Sequence, residues 1–300
     1  MKAVVHQRFG GPEVLAVAEL PEPKMNVDQV VVSVRAAGLN PADLAVRAGA
    51  LRDVVETYFP VVPGWDIAGV VERAGIAAPE FAPGDEVIGY LRGPVAHRNG
   101  GYAAKTVAEV GMLARKPATM SWAEAAGLPL AGLTALQAVR ALDLRAGETL
   151  LVHAAAGGVG SLAVQLAAAR GVRVIGTASA ANHDYVRSLG AEPVRYGDGL
   201  GERVSAIGDV SAVLDAAGRG ALATAPGLGS RAVTIADRAD QGVQQVFARL
   251  DTADLEYLVA EADAGRLSVR VARTFPLEEA ARAQQALAGG GVSGKVVLLP

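Results

Sequence analysis

The chain has 300 residues, 51% hydrophobic and 20% charged, with a formal net charge of −3 and no cysteine. That length exceeds the usual single domain, and the composition belongs to a well-cored globular protein rather than a disordered one. The charge gives no electrostatic reason to expect nucleic acid or an anionic membrane as the main partner, and the missing cysteines exclude disulfides, thiol nucleophiles and cysteine-ligated zinc. The opening run MKAVVHQRFGGPEVL has no long apolar core and no cleavage site. No stretch approaches the roughly 20 uninterrupted apolar residues of a membrane span. The default expectation is a soluble, cytoplasmic protein.

The first third reads as β-rich. Short valine-rich runs at Lys2–His6, Val14–Glu19, Val30–Ala36, Ile67–Ala74 and Glu86–Tyr90 are punctuated by turn signals such as Gly10-Gly11-Pro12 and Pro83-Gly84-Asp85. Strands at this spacing suggest a small barrel, with one short helix at Pro41–Arg47. The segment 90–102, YLRGPVAHRNGGY, is a glycine-punctuated loop that reads either as a lid or as a solvated surface. The character changes at Ser121, which with Glu124 forms a capping box, and two helical segments follow around Pro129. Strands and helices then alternate: Thr149–Val152, Gly160–Ala169, Val172–Gly176, Ala181–Leu189, Ala212–Leu214 and Ala232–Ile235. That order indicates a parallel sheet of β-α-β units. Amphipathic helices at Thr252–Ala264 and Leu277–Ala288 precede a final apolar strand, Lys295–Leu299, which is expected to pair back in the first lobe.

The stretch TLLVHAAAGGVGS, residues 149–161, carries the sharpest signal. A buried strand breaks into a glycine turn and becomes a helix. Gly157, Gly158 and Gly160 let the backbone approach a phosphate, and the helix N-terminus offers free N–H groups and partial positive charge. The spacing is A-x-x-G-x-x-G through Ala154, Gly157 and Gly160, not the strict G-x-G-x-x-G, and a purely structural turn shares it. Gly157, Gly158, Val159 and Gly160 are expected to face a pyrophosphate. At the end of the next strand, 177–183 reads TASAANH, with no acid before Asp184. A free ribose 2′-hydroxyl favours an Asp or Glu there, whereas Ser179, Asn182 and His183 suit a 2′-phosphate. Ser179 and Asn182 also read as caps of the following helix. No Ser/His/Asp set and no paired carboxylates stand out. The four histidines, at 6, 97, 153 and 183, show no clustered ligand spacing, and His153 reads as a packed residue.

Seven blocks in order tie the chain to a family. They are Gly38–Asp43 (GLNPAD), Pro63–Gly69 (PGWDIAG), Gly84–Val87 (GDEV), Leu133-Thr134-Ala135, the 154–160 turn, Val213-Leu214-Asp215 and Gly294–Leu298 (GKVVL). In these the chain resembles the medium-chain dehydrogenase/reductase superfamily, and within it the zinc-free quinone oxidoreductases of the zeta-crystallin-like branch. The likeness covers essentially the whole length. It implies an α/β fold with a GroES-like β-barrel lobe over 1–120, a Rossmann lobe with a doubly wound parallel sheet over 121–258, and a C-terminal segment, 259–300, returning to the first lobe. Zinc-bearing relatives carry a cysteine ligand and a Gly-His-Glu block. Here Trp65-Asp66 stands in the His-Glu place, so zinc alcohol dehydrogenase is excluded on composition.

The resemblance further implies NADPH as cofactor, no metal, a homodimer, and hydride transfer to quinones or α,β-unsaturated carbonyl compounds. Orientation and exclusion of water would be the protein's share of that chemistry. Asn40, Asp43 and Thr134 are the catalytic candidates it marks. Asn40 and Asp43 equally suit a helix start, and Thr134 a hydroxyl bonded to its own helix. Tyr196 matches a strand-end tyrosine near the adenosine, while Phe247 and Lys295 match segments near the cofactor. Two alternatives remain: an enoyl reductase on thioester-bound acyl chains, with Tyr90 or Tyr102 as proton donor, and a non-enzymatic NADPH-binding protein of crystallin-like or RNA-binding type.

Overall fold

The structure, a computed structural model, describes residues 1–93, 95–224, 231–239 and 242–300. The valine-rich runs of the first third form strands β1 (Lys2–Val5), β2 (Ala16–Glu19) and β3 (Gln29–Gly38). After helix α1 (Pro41–Ala48) come β4 (Glu56–Thr57), β5 (Asp66–Ala74), β6 (Glu86–Tyr90), β7 (Val95–Ala96), β8 (Lys105–Glu109), β9 (Leu113–Arg115) and helix α2 (Trp122–Ala126). The second part runs α3 (Pro129–Ala141), β10 (Thr149–His153), α4 (Gly158–Ala168), β11 (Arg173–Ala178), α5 (His183–Ser188), β12 (Ala191–Arg195), α6 (Leu200–Ser205), β13 (Ala212–Asp215), β14 (Ala232–Thr234) and β15 (Val243–Gln245). Helix α7 (Thr252–Asp263), β16 (Val271–Pro276), α8 (Ala280–Ala288) and β17 (Lys295–Leu299) complete the described elements. No described helix is long and apolar enough to cross a membrane.

Two units emerge. The first comprises Met1–Leu130, Leu250–Gly265 and Val269–Pro300, and the second Ala131–Arg249 with Arg266–Ser268. In the first, strands pair in the order β16-β17-β3-β5-β6-β9, with β8 also on β3. Register shifts bend β3 between Val31 and Val32 and between Val34 and Ala36. Its first half pairs β8 and its last residues pair β17 antiparallel, Val297 opposite Gly38. The inward valines of β3 and β5, Val30, Val32 and Val71, pack with Ile67, Leu113 and Leu298. Gly38 is required here, because a Cβ would lie 2.2 Å from the Ala126 carbonyl oxygen of α2.

The compact units do not coincide with the expected divisions at 121 and 258. Residues 121–130 and 250–258 belong with the first unit. Helix α2 lies on β3 and β5, and α7 lies on β9. The ties are polar as well as apolar: the Leu130 N–H donates to Asp66 Oδ1 at 2.9 Å, and Thr252 Oγ1 donates to the Gly111 carbonyl at 2.7 Å.

The second unit holds six strands, all parallel, in the order β12-β11-β10-β13-β14-β15. Numbered within the unit, that is 3-2-1-4-5-6, the doubly wound order whose ligand crevice lies beyond the carboxyl ends of strands 1 and 4. The central strands are buried along their lengths, as parallel strands covered on both faces must be, with Leu151, Ile175 and Val213 in the core.

Candidate functional site

The turn after β10 sits at that switch point. Ala154 takes a left-handed conformation, φ 53°, and is pinned by β11: its N–H donates to Thr177 Oγ1 at 3.0 Å, and the Ala155 N–H to the Thr177 carbonyl at 2.9 Å. The Gly157 N–H closes the turn on the Ala154 carbonyl at 2.9 Å, and Gly157 then caps α4 without any side-chain hydrogen bond. A Cβ on Gly160 would fall 2.2 Å from that same carbonyl oxygen. The first-turn N–H groups of Gly158, Val159 and Gly160 therefore end a buried helix with no side chain capping them. This bare, side-chain-free cradle fits a pyrophosphate. Gly160→Ala is expected to cost about 1–3 kcal/mol, because helix or turn must shift; a thermal midpoint equal to the parent's would contradict this packing.

His153 ends β10 opposite Asp215 of β13. Its Nε2 is buried without a partner, and burial pushes its pKa down, so the ring is neutral. Asp215 accepts from the Ala217 and Gly218 N–H groups and from Thr234 Oγ1 at 2.9 Å, which fixes the other wall of the switch point.

At the carboxyl ends of β11 and β12 lies a cavity of about 690 Å³, lined by Ser179, Arg195, Tyr196, Asp198 and Arg203 among others. Of the sequence candidates, Ser179 and Tyr196 line it. Neither Ser179 nor Asn182 makes a side-chain cap bond; instead Asn182 Nδ2 donates to Ser179 Oγ at 3.1 Å. His183 stands at the start of α5 with its Nε2 buried and unpartnered. Arg195 and Arg203 were missed by the sequence reading. The signal was Arg195 itself, a permanent cation directly before Tyr196. Thr134 is buried on α3, and Phe247 is 67% exposed beyond β15.

In the first unit, Asn40, Asp43, Asp66, Tyr102 and Lys295 are all buried together. Asn40 begins α1, and Asp43 in the first turn reaches back, its Oδ2 accepting the Asn40 N–H at 2.8 Å and the Tyr102 hydroxyl at 3.3 Å. The Asn40 side chain is held from both ends: Nδ2 donates to Asp66 Oδ2 at 2.8 Å, and Oδ1 accepts from Lys295 Nζ at 2.6 Å. Lys295 Nζ is also 3.6 Å from Asp66 Oδ2. The structure thus places Lys295 in this polar cluster, its ammonium committed to Asn40 and Asp66. Burial, with Asp66 adding repulsion, pushes the Asp43 carboxyl up to about 7, against the pull of the Asn40 N–H and Lys295. Burial likewise pushes Asp66 up and Lys295 down, and their mutual attraction opposes both shifts.

Asp43 also lines a second cavity, of about 490 Å³, together with Val46, Trp65, Leu91, Arg92 and His97. The Arg92 guanidinium lies 5.9 Å from the Trp65 ring centre, and Tyr90 meets Trp65 edge to face. Burial pushes the Tyr90 and Tyr102 phenols up and His97 down, so the phenols keep their protons and the imidazole is neutral at pH 7. Of the segment 90–102, Pro94 lies outside the described residues. Among the described residues, no group of three or more His, Asp or Glu is arranged to hold a metal ion.

A parallel sheet in this order, with a bare glycine turn after its first strand, defines a dinucleotide-binding dehydrogenase or reductase fold. A model described as the alcohol dehydrogenase GroES-like domain matches residues 26–128, and one described as zinc-binding dehydrogenase matches residues 189–298. The solved quinone oxidoreductase of Coxiella burnetii is 31% identical with a TM-score of 0.88, covering 100% of this chain and 99% of that one. An Arabidopsis thaliana chloroplastic NADPH-dependent alkenal/one oxidoreductase is 40% identical over 200 residues, 64% of this chain and 51% of that protein. A Streptomyces venezuelae pikromycin polyketide synthase component is 42% identical over 184 residues, 61% of this chain and 4% of the synthase. The chain matches between 51% and 60% of the length of the curated reductases it resembles. It belongs to the medium-chain dehydrogenase/reductase superfamily, in the zinc-free, quinone-oxidoreductase-like branch.

Proposed function

We propose that the protein is an NADPH-dependent reductase of quinones or α,β-unsaturated carbonyl compounds that works without zinc. The observation that supports this most is the bare Gly157–Gly160 cradle at the switch point of the second unit, taken with the likeness to an alkenal/one oxidoreductase. Bound there, a reduced nicotinamide would supply the hydride. The turn would hold the pyrophosphate, with Ser179, Asn182, His183 and Tyr196 at the adenosine end and Thr134 and Phe247 toward the nicotinamide. Asn40 and Asp43 would act at the acceptor end, Asn40 fixed in orientation by Lys295 and Asp66. The mainly apolar cavity beside Asp43 suits a conjugated, uncharged acceptor.

The decisive assay is NADPH oxidation with quinones, alkenals, cyclic enones, enoyl thioesters and simple aliphatic ketones, before and after dialysis against a chelator. Quinones or enones should be strongly preferred and chelation should leave rates intact. Preference for an unactivated ketone, or activity restored only by zinc, would refute the proposal. An enoyl-thioester reductase is the second reading, supported by the polyketide synthase likeness, and preference for the thioester in the same assay would select it.

For the cofactor, kcat/KM with NADPH should exceed that with NADH by about tenfold or more, since charge-assisted hydrogen bonds contribute about 1.5–3 kcal/mol each. Ser179→Asp should erase or reverse that ratio by setting a carboxylate against the phosphate. An unchanged ratio would remove Ser179 from the site.

A further inference from the structure

Resting on the reading that the 157–160 turn holds a dinucleotide, we propose that Arg195 is the residue that selects a 2′-phosphorylated adenosine over an unphosphorylated one. The sequence candidates for that end, Ser179, Asn182, His183 and Tyr196, include no permanent cation. A phosphate monoester is recognised best by one, and a guanidinium matches its oxygens two at a time. Arg195 is the last residue of β12 and pairs in parallel register with Ala178, the last residue of β11. Its side chain therefore leaves the sheet one strand over from Ser179, and both residues line the same cavity.

Its surroundings leave it available. Among the described residues, no carboxylate pairs with the Arg195 guanidinium, and the residue is exposed. The second arginine of the cavity is in a different position. Arg203 spends its guanidinium on backbone carbonyls, donating to Arg195 at 2.9 Å and 3.1 Å, to Gly197 at 3.1 Å and to Asp198 at 2.8 Å. The turn it secures needs left-handed glycines at Gly197 (φ 90°) and Gly199 (φ 72°). One arginine is thus built into the loop and one is left for a ligand. Ser179 Oγ already accepts from Asn182 Nδ2, so its hydroxyl proton is free to point at an anion. Tyr196, 59% exposed, offers a ring beside them for the base. Asp198 is the carboxylate in the lining; it belongs to the loop after β12 and not to the end of β11, where an acid would bind ribose hydroxyls.

The test uses the whole protein and the two fragments that isolate the phosphate, 2′,5′-ADP and 5′-AMP, with Kd read by calorimetry. The parent should bind 2′,5′-ADP at least tenfold more tightly than 5′-AMP. Arg195→Ala should lower that ratio about tenfold or more while leaving the 5′-AMP Kd within twofold, and Arg195→Lys should retain part of the preference. A ratio unchanged in Arg195→Ala overturns the proposal and leaves the dinucleotide reading standing. Equal parent affinity for the two fragments overturns it in the same way. If the parent binds neither fragment, the reading of the turn fails and the proposal falls with it.

Discussion

Lys295→Met is expected to lower stability by about 3–5 kcal/mol, because it strips the partner from a carboxylate that has no access to water. Asp66 is fully buried, and its remaining bonds, from Asn40 Nδ2 and the Leu130 N–H, are neutral. Asn40 Oδ1 loses its donor at the same time. The defect has an escape route: Asp66 can take up a proton, a step that burial already favours. The loss should therefore be larger at pH 8 than at pH 5. Adding Asp66→Asn removes the stranded charge while keeping a hydrogen-bonding side chain, so the double variant should recover most of the loss. Urea unfolding of parent, single and double variants at both pH values measures this. A single-variant loss under about 1 kcal/mol, or a double variant no better than the single, would show that the ammonium does not hold the cluster together.

Asp43→Asn should act in the opposite direction. The Asp43 carboxyl is raised from 3.8 to about 7 in the folded protein. Between those values the native chain keeps a proton that the unfolded chain releases, so stability falls as pH rises through the window and levels off above it. At about 1.4 kcal/mol per pKa unit, the penalty has an upper bound of about 4.5 kcal/mol, nearly reached at pH 8. An asparagine can still accept the Asn40 N–H and the Tyr102 hydroxyl through its amide oxygen. The variant should match the parent near pH 4 and exceed it increasingly up to pH 7, then run parallel. Denaturation midpoints from pH 4 to 8 decide it: curves that stay parallel throughout would mean Asp43 ionises normally in the folded state.

Much of the fold was legible because burial wrote it into local pattern. The core strands β3, β5, β10, β11 and β13 are apolar runs, and the glycine turn announces itself. What escaped lay at edges or across distance. Strand β12 contains Glu192 and Pro193, and β15 reads Val243-Gln244-Gln245, so neither shows the apolar run or clean alternation expected of a strand. Edge strand β16, with Arg273 and Thr274 in its middle, is similarly masked. The polar cluster was half visible. Asn40 and Asp43 came from one block and Lys295 from another, but nothing local says that 255 positions of sequence separate two atoms 2.6 Å apart. The expected boundary at 121 differs from the compact units for a related reason, since a capping box marks where a helix starts and not which core it joins.

That separation bears on how the chain assembles during synthesis. Residues 131–249 form almost all of the second unit as one contiguous stretch, whereas the first unit is interrupted by the whole of it. Contacts between distant segments are slow to form, because the intervening chain must first be brought together. Until β17 leaves the ribosome, the last residues of β3 lack their partner strand and Asp66 lacks its counter-ion. The nascent first unit would present an open sheet edge and a half-neutralised polar centre while the second is already complete. The order of completion is thus the reverse of the order of translation, and the window of exposure to chaperones or aggregation lies in the segment made first.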